Sequence, residues 1–302
     1  MHPILTKTSL ALVLAFASSL PAQIVDTVGG TTTATARTAQ GKANMFRVDT
    51  SSYLLNVEWY LNVPGVELVT FFVARHHSRS GSGNLIWSTT VPVNGTGVGW
   101  YSSGPIAVPL IAGNHYLLGI SWPGTLTYHY RTATAAGTPV SFGAWVGAKT
   151  TTNPPASAYT FTGFDGAQYH QRLTTVPTQD VAIVGTGCAG SASIAPRLVA
   201  SALLANGTTP LLEIVDGEVG TPAAFALGVG PTLPSPFPLL GCNLWLANVV
   251  LSVPTTLSAT GTAQLPIAIP ANPTLVGLPL SSQSLVATAA AGFTNALSLT
   301  VR

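Results

Sequence analysis

The sequence predicts an all-β fold: two β-sandwich or jelly-roll-like domains behind a cleaved signal peptide. Three observations predict it. Of 302 residues only 7% are charged, while 47% are hydrophobic and Gly and Pro number 30 and 23. That composition has too little charge for long amphipathic helices, too much apolar material for disorder, and many turn formers. Short runs alternate apolar and polar residues with period two, the mark of half-buried strands. The inventory also changes near residue 180. All eight Tyr, five of six Trp and the histidines at 76, 77, 115, 129 and 170 precede that point, whereas only Arg197, Glu213, Asp216, Glu218 and Arg302 carry charge from 187 onward. Stretches so different read as two domains of ordinary size.

Residues 1–22 come first. Lys7, the apolar run 10–16 (LALVLAF) and the small residues after it form a signal peptide cleaved after Ala22; the run is too short to span a bilayer. No later stretch reaches the ~18 apolar residues of a transmembrane helix. The chain is therefore expected to be exported, to the cell surface, the extracellular space or the periplasm, without a membrane span. Residues 23–40, rich in Thr and Ala, form a lead strand or a flexible arm.

The first domain occupies 41–178. In 56–63 (NVEWYLNV), Val57, Trp59, Leu61 and Val63 share one face while Asn56, Glu58, Tyr60 and Asn62 share the other, as in a half-buried antiparallel strand. Further strands follow at 67–74, 85–90, 99–102, 115–122, 126–131 and 140–146, separated by turn pairs such as Pro64-Gly65, Asn94-Gly95 and Gly113-Asn114. Between two of them, 75–84 (RHHSRSGSGN) is a polar hairpin loop.

An uncharged Thr/Pro stretch at 174–178 leads into a linker at 179–186, and the second domain takes 187–302. Its candidate strands lie at 198–204, 211–215, 223–229, 244–253, 262–269, 285–289 and 297–301. The run 231–238 (PTLPSPFP) is a rigid loop, since four prolines remove ladder donors. The two cysteines, Cys188 and Cys242, are an even count in an exported chain and favour one disulfide.

The frame 185–191 (GTGCAGS), then Gly228, the Pro-rich loop, 240–244 (LGCNL) and 266–270 (PIAIP) resembles a C-terminal module that recurs on exported planctomycete-type bacterial proteins. The resemblance covers about the second domain and implies an accessory all-β module that brings no catalytic residues. More loosely, 41–48 (GKANMFRV), 56–62 and 113–122 resemble β-sandwich accessory domains of secreted bacterial proteins, a likeness of turn and core positions that implies fold alone.

The function classes narrow by chemistry. A net charge of +2 gives no polyanion-binding field and no nucleic-acid stripe. The motifs G-x-S-x-G, G-x-x-x-x-G-K-[ST], H-E-x-x-H and the dinucleotide fingerprint are absent, and the sequence calls for no cofactor and no metal. Adjacent His76 and His77 point to opposite faces if extended. A hydrolase remains open through a carboxylate pair drawn from Asp49, Glu58, Glu67 and Asp165, because glycoside cleavage needs two acids across a cleft. Without local motif support, each acid reads equally as a turn, cap or edge residue.

Two sets of candidate binding residues remain. Arg75, His77 and Arg79 in the hairpin loop could grip an anion or be plain solvated residues. Among the aromatics, Tyr60 is the best exposed ring, with Asn and Glu on its own face. In 126–131 (LTYHYR), Tyr128 and Tyr130 belong with Leu126 in the core, while His129 and Arg131 face outward. The expected role is a non-catalytic surface or extracellular-matrix β protein contacting polysaccharide or other surface proteins. Dedicated polysaccharide recognition and a secreted hydrolase are the alternatives.

Overall fold

The computed structural model describes residues 22–79, 81–95, 97–133, 135–161 and 166–302. Nearly all of the expected signal peptide, and Asp165 of the candidate acids, lie outside these. Strands of the first domain run β1 (Ile24–Val28), β2 (Thr33–Val48), β3 (Ser52–Val63), β4 (Val66–His76), β5 (Gly81–Asn94), β6 (Gly97–Ser102), β7 (Val108–Leu110), β8 (His115–Thr132), β9 (Thr138–Val140), β10 (Gly143–Thr151), β11 (Ala158–Phe161), β12 (Ala167–Tyr169) and β13 (Gln171–Pro177). The second domain follows with β14 (Val181–Val184), β15 (Arg197–Ala200), β16 (Leu211–Val215), β17 (Pro222–Val229), β18 (Phe237–Leu239), β19 (Cys242–Leu244), β20 (Val249–Thr256), β21 (Ala263–Pro266), β22 (Pro279–Val286), β23 (Gly292–Phe293) and β24 (Ala296–Thr300). The fold is all-β, antiparallel throughout. No helix of the described residues is long and apolar enough to cross a membrane.

β1–β13 form one thirteen-stranded sheet whose spine is the β2–β8 ribbon. The first half of β8 also pairs with β4, and its second half with β3 and β12. The spine thus carries two sheet halves, with β9, β10, β4, β5 and β11 on one and β3, β13 and β1 on the other. Their inner faces share a core of Phe46, Trp59, Phe71, Leu118, Trp122, Trp145 and Leu173, each side chain contributing roughly 1.5–3 kcal/mol of burial free energy. On β4 the even-numbered Phe72 and Ala74 pack outward instead, into a second cluster with Met45, Leu117 and Tyr159. That is why 67–74 reads as an apolar run and not as an alternation. Opposite Phe72, β8 has Gly119, where a Cβ would stand 2.4 Å from the Phe72 ring, so the close packing here requires glycine.

The lead segment enters the first domain's sheet, and the linker holds an edge strand of the second domain. β1 pairs with β13, and Thr33 to Thr38 of β2 pair with β8 opposite Tyr130 to Thr125, so most of 23–40 is strand. The small Thr and Ala side chains fit beside bulky Tyr128 and Tyr130 across the ladder. In 179–186, the apolar run 181–184 (VAIV) becomes β14, an edge strand of the second domain paired with β24.

The second domain stacks the sheet β14-β24-β22-β17-β20 on the smaller sheet β15-β16-β21 around Leu198, Leu212, Ile214, Phe225, Leu297 and Leu299. Cys188 and Cys242 are joined in a disulfide, Cα–Cα 5.7 Å, tying the start of the domain to the β18–β19 hairpin. Most of 231–238 is loop, as four prolines require, with Phe237 and Pro238 entering that hairpin. The domains are packed against each other. Ile111 of the first joins the core of the second, Asn114 Nδ2 donates to the Ala200 carbonyl at 3.1 Å, and the Arg197 guanidinium donates to the carbonyls of Gly113 and His77 at 2.8 and 2.9 Å.

Candidate functional site

The outer face of β3 brings aromatic, imidazole and charged side chains together. Trp59, Leu61 and Val63 are fully buried, which leaves Glu58, Tyr60 and Asn62 on the opposite side of the pleat. The ladders bring neighbours to them. Tyr60 is opposite Trp100 of β6, and Glu58 is opposite Ser102 of β6 and Arg172 of β13. The backbone N–H of Tyr60 donates to His170, whose own N–H donates to His129 of β8.

Tyr60 sits at the centre of three rings. Its centroid lies 5.2 Å from Trp100, 5.1 Å from His129 and 5.3 Å from His170, each edge to face. Trp100 and His170 are 4.7 Å apart, and the Arg172 guanidinium carbon lies 4.1 Å over the Trp100 ring, a cation–π arrangement. Arg172 also donates to Glu58 Oε2 at 3.4 Å. The rings are half-buried, so each presents part of its surface to solvent.

Burial disfavours the charged form of both imidazoles. His129 has its pKa lowered by desolvation alone, and His170 by desolvation first, against which its Val28 carbonyl partner works, with nearby His129 and Arg172 lowering it further. Around Tyr60 the charges of Glu58 and Arg172 cancel, so the ring cluster itself is polar and aromatic.

The candidate binding residues divide. Tyr60 and His129 come together. Arg131 shares a face with His129 on β8 and is exposed, its Nε donating to Gln168 Oε1 at 2.6 Å. Arg75 and His77 go elsewhere, and the expectation of a solvated loop does not describe them. Arg75 donates to Glu213 Oε2 at 3.1 Å, and His77 Nδ1 lies 3.3 Å from the same oxygen. Glu213, on β16, is 1% exposed and also accepts from Gln264 Nε2 at 2.7 Å. A buried carboxylate needs such partners, so the hairpin is drawn onto the second domain, leaving Arg79 exposed in its turn.

The described candidate acids each hold a structural partner. Asp49 is paired with Arg47 through two hydrogen bonds at 2.7 and 2.8 Å, Glu58 with Arg172, and Glu67 accepts from the Gly124 N–H at 3.2 Å. Of the other aromatics, Trp122 is buried and donates to the Arg37 carbonyl at 3.0 Å.

Sequence reasoning missed His170 and Arg172. Arg172 lies on β13 and His170 immediately before it, in a stretch with no apolar alternation, because the inward positions beside Leu173 are the polar Gln171 and Thr175, both buried. The available signal is a polar stretch of period two, His170, Arg172 and Thr174, of which only Thr174 falls in the Thr/Pro stretch that leads into the linker. No family model matches the sequence, and no curated protein matches it.

Proposed function

We propose that this chain is an exported, non-catalytic β protein of the cell surface or extracellular matrix whose first domain binds polysaccharide on the outer face of β3. The second domain serves as an accessory β module packed against it. One observation carries the binding assignment: Tyr60 at the centre of Trp100, His129 and His170, half-exposed, beside the Glu58–Arg172 pair. Sugar rings offer C–H faces that lie on aromatic surfaces and hydroxyls that bond to carboxylate, guanidinium and amide groups, and this face supplies both kinds of contact.

The test is affinity electrophoresis and pull-down of the chain from residue 23 onward against soluble and insoluble polysaccharides, with tryptophan fluorescence as a second readout. Saturable binding that quenches fluorescence and weakens about tenfold in Tyr60→Ala or Trp100→Ala, with melting temperature retained, is the expected result. A folded protein that binds no member of a broad panel would remove the assignment.

A further inference from the structure

The face that carries Tyr60 continues along β3 into a cavity. Between Leu54 and Asn56 the register with β13 shifts: Thr175 pairs with Leu54 and Thr174 with Asn56, leaving Leu55 as an extra residue. This is a β-bulge, which reverses the inward and outward sense of everything beyond it. Leu54 is buried, so a regular strand would turn Asn56 into the core as well. The bulge instead puts Asn56 outward, in line with Glu58 and Tyr60, beside a solvent-open cavity of about 450 Å³, a volume within the range of small-ligand sites.

The lining suits a sugar. Leu55, Pro105 and Ile106 supply apolar wall, and Gln23, Asn56, Ser102 and Thr174 supply polar groups. The Asn56 carboxamide is held by its oxygen, which accepts from Ser102 Oγ at 2.7 Å and from Ser103 Oγ at 3.1 Å. Its Nδ2 donates to no group among the described residues, and neither does the Thr174 hydroxyl. A fixed amide donor and a hydroxyl over apolar wall form the mixed surface that a ring with one C–H face and several hydroxyls requires.

From Asn56 to Tyr60 is four residues, or ~13 Å along an extended strand, longer than any single sugar ring. Between the two ends the charged side chains are Glu58 and Arg172, which pair with each other. Resting on the polysaccharide-binding assignment above, we infer that the cavity at the Leu55 bulge and the Tyr60–Trp100 rings are two subsites of one groove that takes an extended, uncharged polysaccharide along β3.

The test is isothermal titration of the chain from residue 23 onward with β-1,4-linked glucose, xylose and mannose oligosaccharides, from disaccharide to hexasaccharide. Polygalacturonate and heparin serve as anionic probes. For at least one neutral series the affinity should rise about tenfold or more with length. Asn56→Ala should abolish that rise while keeping disaccharide binding, and Thr174→Val, which keeps the side-chain volume and removes only the hydroxyl, should reduce it even if Asn56→Ala fails to fold. Tyr60→Ala should weaken every length. Affinity that is full at the disaccharide, indifference of the hexasaccharide to both cavity variants, or tighter binding of the anionic chains would overturn the two-subsite groove while leaving the polysaccharide assignment standing. Binding to nothing by the folded wild type would instead defeat the assignment itself.

Discussion

Asn44 donates through Nδ2 to Gln171 Oε1 at 3.0 Å, and both residues are completely buried. Around this pair the Asn44 oxygen accepts from Trp145 Nε1 and from the Tyr169 backbone N–H, both at 3.1 Å, and Gln171 Nε2 donates to the Leu118 carbonyl at 3.3 Å. A buried network with its groups satisfied fixes the register of β13 against the spine, whereas a half-satisfied one is costly. Asn44→Leu removes the acceptor of two donors and should cost about 3–5 kcal/mol, measured by urea unfolding. A loss below about 1 kcal/mol would show that the network contributes little.

The ion cluster at the domain junction should show a different pattern. Glu213→Leu leaves Arg75, only 13% exposed, without its counter-ion, and should cost about 3–5 kcal/mol. Arg75→Met combined with Glu213→Leu should recover most of that loss, because a buried pair is often no more stable than an apolar replacement. The paired unfolding curves decide it: a double variant as unstable as the single one would refute the interpretation.

Acid should destabilise the protein early. Burial, helped by Lys149 and His77, lowers the pKa of His76 to about 4; burial, helped by Arg197 and Arg47, lowers that of His115 to about 4. The folded state keeps these imidazoles neutral, while the unfolded chain takes up protons near pH 6.5. Stability is therefore full above about pH 6.5, declines as pH falls toward 4, and loses up to about 3 kcal/mol per residue. Unfolding midpoints measured between about pH 7.5 and 4.5 should follow that slope, and His115→Gln should flatten it.

Reduction should loosen the second domain. The Cys188–Cys242 bridge spans a separation of 54 residues, for which chain entropy gives roughly 4 kcal/mol. Paired Cys188→Ala and Cys242→Ala should lower the melting temperature, with little effect on the polysaccharide binding proposed above at temperatures where the fold persists.

Much of the architecture was legible because alternation and burial coincide. Trp59 and Leu61 announce the inward face of β3, and Tyr60 with Glu58 the outward one. The rest was hidden where tertiary contacts override local pattern. Gln171 and Thr175 are polar yet inward, so β13 shows no strand alternation and its part from Thr174 onward reads as a join; Val181 to Val184 read as a linker because the partner strand lies more than a hundred residues away. Asn56 fell on the correct face in the sequence pattern, but the bulge at Leu55 that puts it there carries no glycine or proline to mark it. The partner of Arg75, Glu213, is 138 residues distant, and no local spacing encodes such a meeting.

The pairing of β14 with β24 makes the second domain a cassette. Val181, where the chain enters it, is the ladder partner of Leu299, near where the chain leaves, and such partners are about 4.5–5.5 Å apart. A unit whose entrance and exit are neighbours can be spliced into a surface turn of another protein without stretching either chain, or circularly permuted by joining its ends with a few residues. Arg302 donates to the Tyr53 hydroxyl of the first domain at 2.9 Å, so a label carried on it reports on the junction and not on the far tip.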